Sequence, residues 1–242
     1  MELATPDQPA AKAFYGSLFG WSALDRPIGP SAFYTTFYLR DRAVAAARTL
    51  GPDERESSVP PHWTLYVAVE SADEAVSRTT QMGGRICAGP FDVFDAGRMA
   101  MIFDPAGTPS ALWQPKRNKG IGIEREHGAF CWADLFTTDI EIASKFYTGL
   151  FGWTLAPGET GYLHIRNGEE FIGGIPSVEH RDANIPPHWL LYFQTDDCAA
   201  SAEKARELGA KILSGPFNME NVGRFATVAD PQGAVFALFQ SK

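Results

Sequence analysis

Apolar and polar positions follow two different periods along this chain, and the second half shows both most clearly. Residues 129–136 are β-compatible and predict a strand. Asp139 then provides an N-cap for a helix, and Gly152 provides its end. Between them, apolar side chains recur at helical spacing at Ala143, Phe146, Tyr147 and Leu150.

The rest of this half alternates again between strands and one helix. Asn167-Gly168 favours a tight hairpin between two strands, and Asp196-Asp197 can cap a second helix that ends near Leu208-Gly209. An Asp-Pro-x-Gly turn joins the last two strands. The predicted strands cover 161–166, 170–175, 188–194, 224–229 and 234–240. This half therefore holds two βαβββ-type modules.

The first half repeats the second. Two strings recur at an offset of 132 residues, and four others recur at an offset of 126, so six residues are missing from a surface loop of the second copy. The repeated strings are Thr-x-Asp, Phe-Tyr-x-x-Leu-Phe-Gly-Trp, Pro-Pro-His-Trp, Gly-Pro-Phe, Gly-Arg and Asp-Pro-x-Gly, beginning at residues 5, 14, 60, 89, 97 and 104 in the first copy. The chain is predicted to contain four modules in two tandem copies.

The two copies set the predicted domain boundaries. Residues 116–126 are basic and glycine-containing, without an apolar period, which is typical of a linker. We therefore predict a first domain over residues 1–115 and a second over residues 127–242.

These repeated strings together resemble the vicinal oxygen chelate superfamily, which includes glyoxalases, bleomycin-resistance proteins and dioxygenases. The resemblance extends from Glu2 to Gln240. It implies an α+β fold in which tandem βαβββ modules form curled mixed sheets around clefts, so each copy would own one cleft. It leaves the reaction open, because this fold hosts lyases, epimerases, dioxygenases and drug-sequestering proteins.

Charge and composition narrow the choice of partner. The formal net charge is -8 and the pI is about 5.1. An acidic surface repels phosphate backbones, so we expect a small-molecule ligand and no nucleic acid. The three cysteines show no CxxC spacing, and neither a signal peptide nor a membrane-spanning run is present. We therefore expect a cytoplasmic protein, monomeric or homodimeric, that does not bind membranes.

The resemblance also implies a divalent metal held by His and Glu side chains, yet the implied ligand positions carry other residues. The position four residues past the Gly of Asp-Pro-x-Gly is alanine in both copies. The first-strand position is Trp132 in the second copy and would precede Met1 in the first. Neither alanine nor tryptophan is a metal ligand in proteins, so we predict no metal cofactor. The two alanines are Ala111 and Ala237, and the remaining ligand position falls near Thr64 in the first copy and Leu190 in the second.

His62 and His188 allow two interpretations. Each lies two residues, one strand period, before an implied ligand position, so each would face the cleft. They would bind substrate, or a metal through a different ligand set, or act as an acid or base. Alternatively, they are repeated structural histidines at a strand entry, hydrogen-bonded beside the tryptophan.

Glu2 and Asp134 are the predicted catalytic residues. They are equivalent in the repeat, and each lies on the cleft face of the first strand of its copy. A carboxylate in an apolar cleft has a raised pKa and serves as a general acid or base. The alternatives are a carboxylate bound to backbone, one that is solvated at the strand end, and one that anchors a basic ligand group.

Four further residues are predicted to contact the substrate. Trp113 and Phe239 are equivalent and fall on the inner face of the last strand, while Phe136 lies one strand period beyond Asp134. Flat aromatic rings there would stack on a planar ligand, or would simply fill the core. His164 has no counterpart histidine in the first copy, so it either marks the functional cleft or lies on the surface of an edge strand.

Three functions remain open at this stage. The first is an enzyme that works on a small organic molecule without a metal, using Glu2 or Asp134. The second is a binding protein that sequesters a planar or cationic compound. The third is a metal-dependent lyase or extradiol-type dioxygenase with an unrecognised ligand set, such as His62 or His188 with Glu2 or Asp134.

Overall fold

The computed structural model describes residues 1–30 and 32–242 and contains four modules of one topology. In each module a strand is followed by a helix and a three-stranded antiparallel meander. The first strand of the module then pairs in parallel with the last. The predicted α+β fold with mixed sheets is confirmed.

The first copy contributes the first two modules. The first comprises β1 Glu2–Thr5, α1 Gln8–Phe19, β2 Ser22–Pro27, β3 Phe33–Leu39 and β4 Arg42–Thr49, in the sheet order β2-β3-β4-β1. A short helix, α2 Pro52–Glu56, leads to the second. The second comprises β5 His62–Thr64, β6 Tyr66–Ala68, α3 Ala72–Gln81, β7 Arg85–Val93, β8 Gly97–Phe103 and β9 Pro109–Pro115, in the order β6-β9-β8-β7.

The second copy repeats this arrangement. Its first module comprises β10 Phe130–Phe136, α4 Ile140–Phe151, β11 Thr154–Pro157, β12 Leu163–Asn167 and β13 Glu170–Ile175, in the order β11-β12-β13-β10. Its second comprises β14 His188–Gln194, α5 Cys198–Glu207, β15 Lys211–Met219, β16 Gly223–Ala229 and β17 Val235–Ser241, in the order β14-β17-β16-β15.

The predicted helix ends are correct. Asp139 and Asp197 accept hydrogen bonds from backbone N–H groups in the first turns of α4 and α5. Gly152 ends α4 in the left-handed conformation, at φ 71°, which glycine adopts without a steric cost. The largest difference in a strand start is at β12, which begins at Leu163 rather than at residue 161, while three other starts differ by one residue. Residues Glu159–Gly161 form a 3-10 turn instead, with positive φ at Thr160 and Gly161.

Two compact units can be described separately, and each takes one module from each copy. Unit 1 comprises Met1–Trp63, Ile121–Cys131 and Leu191–Lys242. Unit 2 comprises Thr64–Gly120 and Trp132–Leu190. The compact units therefore do not coincide with the sequence copies.

The repeated strings meet inside unit 1 as a buried polar chain. The Trp63 Nε1–H donates to the Tyr15 hydroxyl at 3.0 Å, and this hydroxyl donates to Asp230 Oδ2 at 2.9 Å. Burial, together with the negative charge of Asp230, raises the pKa of Tyr15. Buried packing thus largely accounts for the presence of the strings Pro-Pro-His-Trp, Phe-Tyr and Asp-Pro-x-Gly.

Unit 2 has the equivalent tyrosine and tryptophan. The Trp189 Nε1–H donates to the Tyr147 hydroxyl at 3.2 Å. The two rings also pack edge to face, with centroids 5.3 Å apart.

Over residues 1–30 and 32–242, the structure has no helix of the length and apolarity that a membrane crossing requires.

Candidate active site

Strand β10 presents Trp132, Asp134 and Phe136 on one face. The intervening residues, Cys131, Ala133 and Leu135, are buried, whereas Trp132 and Phe136 are only half-buried. This alternation follows from the period of two in a β-strand. Asp134 is the exception on its face, because only 7% of its surface is exposed. Burying a carboxylate is costly unless polar partners compensate for the lost water.

Two aromatic side chains hydrogen-bond to the Asp134 carboxylate. The Tyr162 hydroxyl donates to Asp134 Oδ1 at 2.6 Å, and the Trp132 Nε1–H donates to the same oxygen at 3.0 Å. The Trp132 N–H also lies 2.9 Å from the Tyr162 hydroxyl oxygen. Indole can only donate, so the tyrosine proton is directed at the carboxylate. Burial, and then the Asp134 charge, raise the pKa of Tyr162 far above its usual range.

A glycine makes room for this contact. Asp134 on β10 pairs with Gly174 on β13, and Gly174 in turn pairs with His164 on β12. A Cβ at residue 174 would lie 1.8 Å from the Tyr162 hydroxyl. Any side chain at residue 174 would therefore displace the tyrosine from Asp134.

His164 lies beside the same tyrosine. Its ring packs edge to face with Tyr162, Phe171 and Trp132, at centroid distances of 4.9, 5.2 and 6.2 Å. Its Nδ1 is buried and has no hydrogen-bond partner among the residues that the structure describes. Strand β12 lies between β11 and β13, so the alternative of a surface residue on an edge strand is wrong.

Phe136 stacks on His188. The ring centroids are 5.2 Å apart and the planes are nearly parallel, at 9°. His188 Nδ1 lies 2.9 Å from the Pro186 carbonyl oxygen, which can only accept, so Nδ1 carries the proton. Burial lowers the pKa of His188, and Arg181 lowers it further, against the opposing effect of the carbonyl. The imidazole is therefore neutral at pH 7, with Nε2 as an acceptor.

His62 repeats this geometry in unit 1. Its Nδ1 lies 2.9 Å from the Pro60 carbonyl oxygen. Both histidines therefore have the backbone contact expected of a structural residue at a strand entry, and each has its Nε2 left to accept a hydrogen bond.

Glu2, the counterpart of Asp134, is held differently. It is equally buried, at 7% exposed, and it accepts a 2.7 Å hydrogen bond from the Tyr34 hydroxyl. It also forms a 3.0 Å ion pair with Arg48, which binds Glu54 through two further hydrogen bonds of 2.5 and 2.7 Å. The hydrogen bond from Arg48 is the main reason that the pKa of Glu54 falls to about 2.

The strand registers show what distinguishes the two carboxylates. In the first copy, Glu2 pairs with Ala46, and Ala46 pairs with Thr36 on the next strand. In the second copy, Asp134 pairs with Gly174, and Gly174 pairs with His164 on the next strand. Both carboxylates thus keep a tyrosine. Arg48 lies two residues beyond Ala46, whereas a proline lies two residues beyond Gly174. The second copy therefore has a histidine in place of Thr36 and no arginine in place of Arg48.

Trp113 and Phe239 occupy equivalent positions on β9 and β17. In unit 2, Trp113 packs over Gly97, where a Cβ would lie 2.4 Å from the indole, and its Nε1–H donates to the Asn118 carbonyl at 2.9 Å. In unit 1, Phe239 pairs with Phe225. The Phe225 ring lies 5.8 Å from Phe217, which is 53% exposed. Trp113 and Phe239 are both half-buried.

The predicted site residues divide between the two units. Asp134, Phe136, His164 and His188 lie in unit 2, where Asp134 and His164 share contacts to Trp132 and Tyr162. Trp113 also lies in unit 2, while Glu2, His62 and Phe239 lie in unit 1. The predictions missed Tyr34, Arg48 and Tyr162. A tyrosine recurring one strand period before Thr36 and His164 was the only available signal.

The side chains present do not fit the metal site that the family implies. Ala111 and Ala237 are fully buried and offer only methyl groups, and the Trp132 nitrogen is a donor that binds Asp134 and Tyr162. Within residues 1–30 and 32–242, no three His, Cys, Asp or Glu side chains are grouped so that they could hold an ion.

Comparison with known proteins identifies the family. The model of the Glyoxalase/Bleomycin resistance protein/Dioxygenase superfamily matches the chain twice, over residues 1–110 and 129–238. The chain is 37% identical to "Putative glyoxylase CFP32" of Mycobacterium tuberculosis, over 99% of this chain and 93% of that protein. It is 32% identical to "Anthracycline biosynthesis protein DnrV" of Streptomyces peucetius, over 99% of this chain and 91% of that protein.

Solved structures show the same fold at low identity. The 2,3-dioxygenase LapB from Pseudomonas sp. KL28 aligns with a TM-score of 0.68 at 14% identity, covering 99% of this chain and 90% of that one. The Mn(II)-bound glyoxalase from Novosphingobium aromaticivorans aligns with a TM-score of 0.66 at 17% identity, covering 99% and 80%. The chain belongs to the Glyoxalase/Bleomycin resistance protein/Dioxygenase superfamily.

Proposed function

We propose that this protein binds a small, largely apolar carbonyl compound and catalyses a proton transfer on it through Asp134. The observation that carries the proposal is the way in which the buried Asp134 carboxylate is oriented. The Tyr162 hydroxyl and the Trp132 Nε1–H both donate to its Oδ1, whereas Glu2, its counterpart, forms an ion pair with Arg48. Two directed hydrogen bonds fix the orientation of a carboxylate before a substrate binds.

In this mechanism Asp134 takes a proton from a carbon next to the substrate carbonyl. Tyr162 and Trp132 fix the carboxylate by hydrogen bonds to Oδ1, so its orientation is set before the substrate arrives. The protonated Asp134 then returns the proton to another position of the same molecule. A positioned acid or base of this kind contributes a rate factor of about 10²–10⁴.

Aromatic residues supply the binding surface in this proposal. Phe136, stacked on His188, offers a flat face for a planar ligand, and the His188 Nε2 accepts a hydrogen bond from a ligand hydroxyl. The name of the 32%-identical Streptomyces relative supports a planar polycyclic ligand, because anthracyclines are planar polycyclic compounds. The name of the mycobacterial relative supports a reactive carbonyl substrate.

A second candidate function is sequestration of a planar compound without turnover. The net charge of -8 and the exposed aromatic residues favour it, because an acidic protein attracts cationic ligands. In that case Asp134 would anchor a basic group of the ligand.

One experiment separates these functions. A panel of tetralones and cyclic diketones is incubated with the protein in D2O, and deuterium incorporation next to the carbonyl is followed by NMR. Asp134→Asn keeps the side-chain shape, so we expect exchange to fall at least about 100-fold while the affinity changes by less than about threefold. Glu141→Gln removes an exposed carboxylate on α4 and serves as the matched control.

The outcomes are distinct. Exchange that persists in Asp134→Asn would refute the catalytic proposal. Affinity that falls in this variant, with no exchange in the wild type, would establish sequestration instead. Elemental analysis of protein purified without chelator tests the metal-dependent alternative. About one equivalent of Fe, Mn, Ni or Zn per chain would support that alternative.

A further inference from the structure

In the first copy, two basic side chains are held by carboxylates that link α3 to strands β7 and β8. The Arg98 guanidinium donates to Asp73 through Nε at 2.8 Å and Nη2 at 2.9 Å, and its Nη1 lies 3.5 Å from Asp92. Lys116 Nζ also donates to Asp92, at 3.0 Å. These hydrogen bonds lower the pKa of both carboxyls. Each of the two cations thus has a carboxylate partner.

The second copy keeps both basic residues and replaces both acidic ones. At the offset of 126 residues, Arg98 and Lys116 correspond to Arg224 and Lys242, and Asp73 and Asp92 correspond to Ala199 and Asn218. Among the described residues, Arg224 and Lys242 form no ion pair. Lys242 Nζ donates to the Asn221 side-chain oxygen at 3.3 Å. The carboxylate at the start of α5, Asp197, accepts instead from backbone N–H groups in the first turn of that helix.

The backbone around these positions is the same in both copies. Arg224 pairs with Asn218 on β15 and with Gln240 on β17, which is the register that Arg98 has in the first copy. The Gln240 side-chain oxygen accepts from the Cys198 backbone N–H at 3.1 Å. Its amide NH2 is therefore left to donate to another group. The copies thus differ here in charge and not in fold.

Arg224 and Lys242 line a surface groove of unit 1 that has a volume of about 280 Å³. Glu220 is the single acidic residue among the groove's lining residues, so the side chains give it a net charge of +1. Met219, which is 48% exposed, adds apolar surface to the same groove. Small-molecule pockets typically enclose about 300–1,000 Å³, so this groove suits a small ligand.

We propose that this groove binds a small organic monocarboxylate through the Arg224 guanidinium. A guanidinium offers two parallel N–H donors to the two oxygens of a carboxylate, and Arg98 binds Asp73 in this way. The ligand carboxylate would thus take the place of the aspartate that the second copy lacks. The Lys242 ammonium and the Gln240 amide NH2 provide further donors.

The charge of the groove favours a monoanion over a phosphate dianion. A single excess positive charge neutralises one carboxylate, and the protein as a whole, with its net charge of -8, repels an additional negative charge. Met219 would contact the carbon skeleton of the ligand. The groove lies in unit 1, whereas Asp134 lies in unit 2, so this proposal does not depend on the catalytic one.

An NMR titration of the full chain with benzoate tests the site. We expect saturable shifts of the Arg224 Nε–H and Gln240 side-chain NH2 resonances. Benzamide keeps the ring and lacks the charge, so it should bind at least about tenfold more weakly. Absence of saturable shifts with benzoate up to about 50 mM would overturn the site. Tighter binding of inorganic phosphate than of benzoate would overturn the assignment to a monocarboxylate.

Variants of both copies supply the matched comparison. Ala199→Asp combined with Asn218→Asp restores the carboxylates of the first copy, so benzoate affinity should fall at least about tenfold as they occupy Arg224. Arg224→Gln should cause a similar loss. All three residues are exposed, so these substitutions leave the core untouched. Arg98→Gln is the control and should not change the affinity. Unchanged benzoate affinity in either groove variant would contradict the proposal.

Discussion

At the scale of single residues, the neighbour of a carboxylate decides what it can do. Glu2 and Asp134 occupy equivalent strand positions and have the same exposure, and each accepts a hydrogen bond from a tyrosine. Arg48 forms an ion pair with Glu2, and the second copy has a proline at the position equivalent to Arg48.

Tyr162→Phe removes the hydroxyl that is bonded to Asp134 and leaves Trp132 in place. If Asp134 is the base, we expect the deuterium-exchange rate to fall about tenfold or more, with ligand affinity nearly unchanged. The free energy of unfolding should fall by about 1 kcal/mol. Unchanged exchange in this variant would show that the tyrosine does not position Asp134.

Gly174→Ala tests the same contact without touching either partner. The new Cβ would lie 1.8 Å from the Tyr162 hydroxyl, so the tyrosine must move away from Asp134. We expect a loss of about 1–3 kcal/mol in unfolding free energy, together with slower exchange. Gly29→Ala is the matched control, because among the described residues a Cβ there meets only the Ala32 methyl, at 3.8 Å. Equal losses of unfolding free energy in the two variants would show that a side chain at residue 174 does not collide with Tyr162.

At the scale of elements, periodic pattern and capping chemistry were sufficient to locate most helices and strands. The ends of α4 followed from Asp139 and Gly152. Two strands of the second copy were not predicted. Strand β11 has only four residues, and β15 contains Gly215-Pro216, where the register shifts and the alternation is interrupted.

The candidate site was less predictable than the fold. Asp134 and His164 could be identified because they are polar residues within strands. Their connection through Tyr162 could not, because it depends on which residues of β10 and β12 lie opposite Gly174. The register between distant strands is set by tertiary packing, which one sequence does not display. The ion pair that separates Glu2 from Asp134 was missed for the same reason.

The short helix α2 provides a prediction about acid stability. The pKa of Glu54 is about 2 in the folded chain, compared with an ordinary value of 4.5. A lowered folded pKa contributes stability above pH 4.5, and this contribution is lost as the pH falls from 4.5 towards 2. We therefore expect the Tm to decline over that range and Glu54→Gln to decline less steeply. Parallel Tm profiles for the two proteins would contradict this assignment.

At the scale of the whole chain, the repeat has diverged in its polar residues while keeping its packing. The buried Trp–Tyr pair recurs in both units, with hydrogen bonds of 3.0 and 3.2 Å. The residues around the two carboxylates differ. Repeated strings thus report mainly on folding, and the differences between copies indicate where function lies.

This asymmetry predicts the number of ligand sites. If only the environment of Asp134 binds and transforms the ligand, calorimetric titration with a ligand found in the exchange screen should give one site per chain. Arg48→Met should leave that number unchanged, since the ion pairs it breaks, with Glu2 and Glu54, lie in unit 1, whereas Asp134 lies in unit 2. Two equivalent sites per chain would show that the first copy also works.

The central claim is that Asp134 moves a proton without a metal, and one set of exchange rates measured in D2O tests it. Wild-type protein dialysed against a chelator should exchange a tetralone at its full rate, and chelated Asp134→Asn should exchange it at about 1% of that rate or less. Loss of exchange on chelation, restored by adding back a divalent metal, would contradict the account.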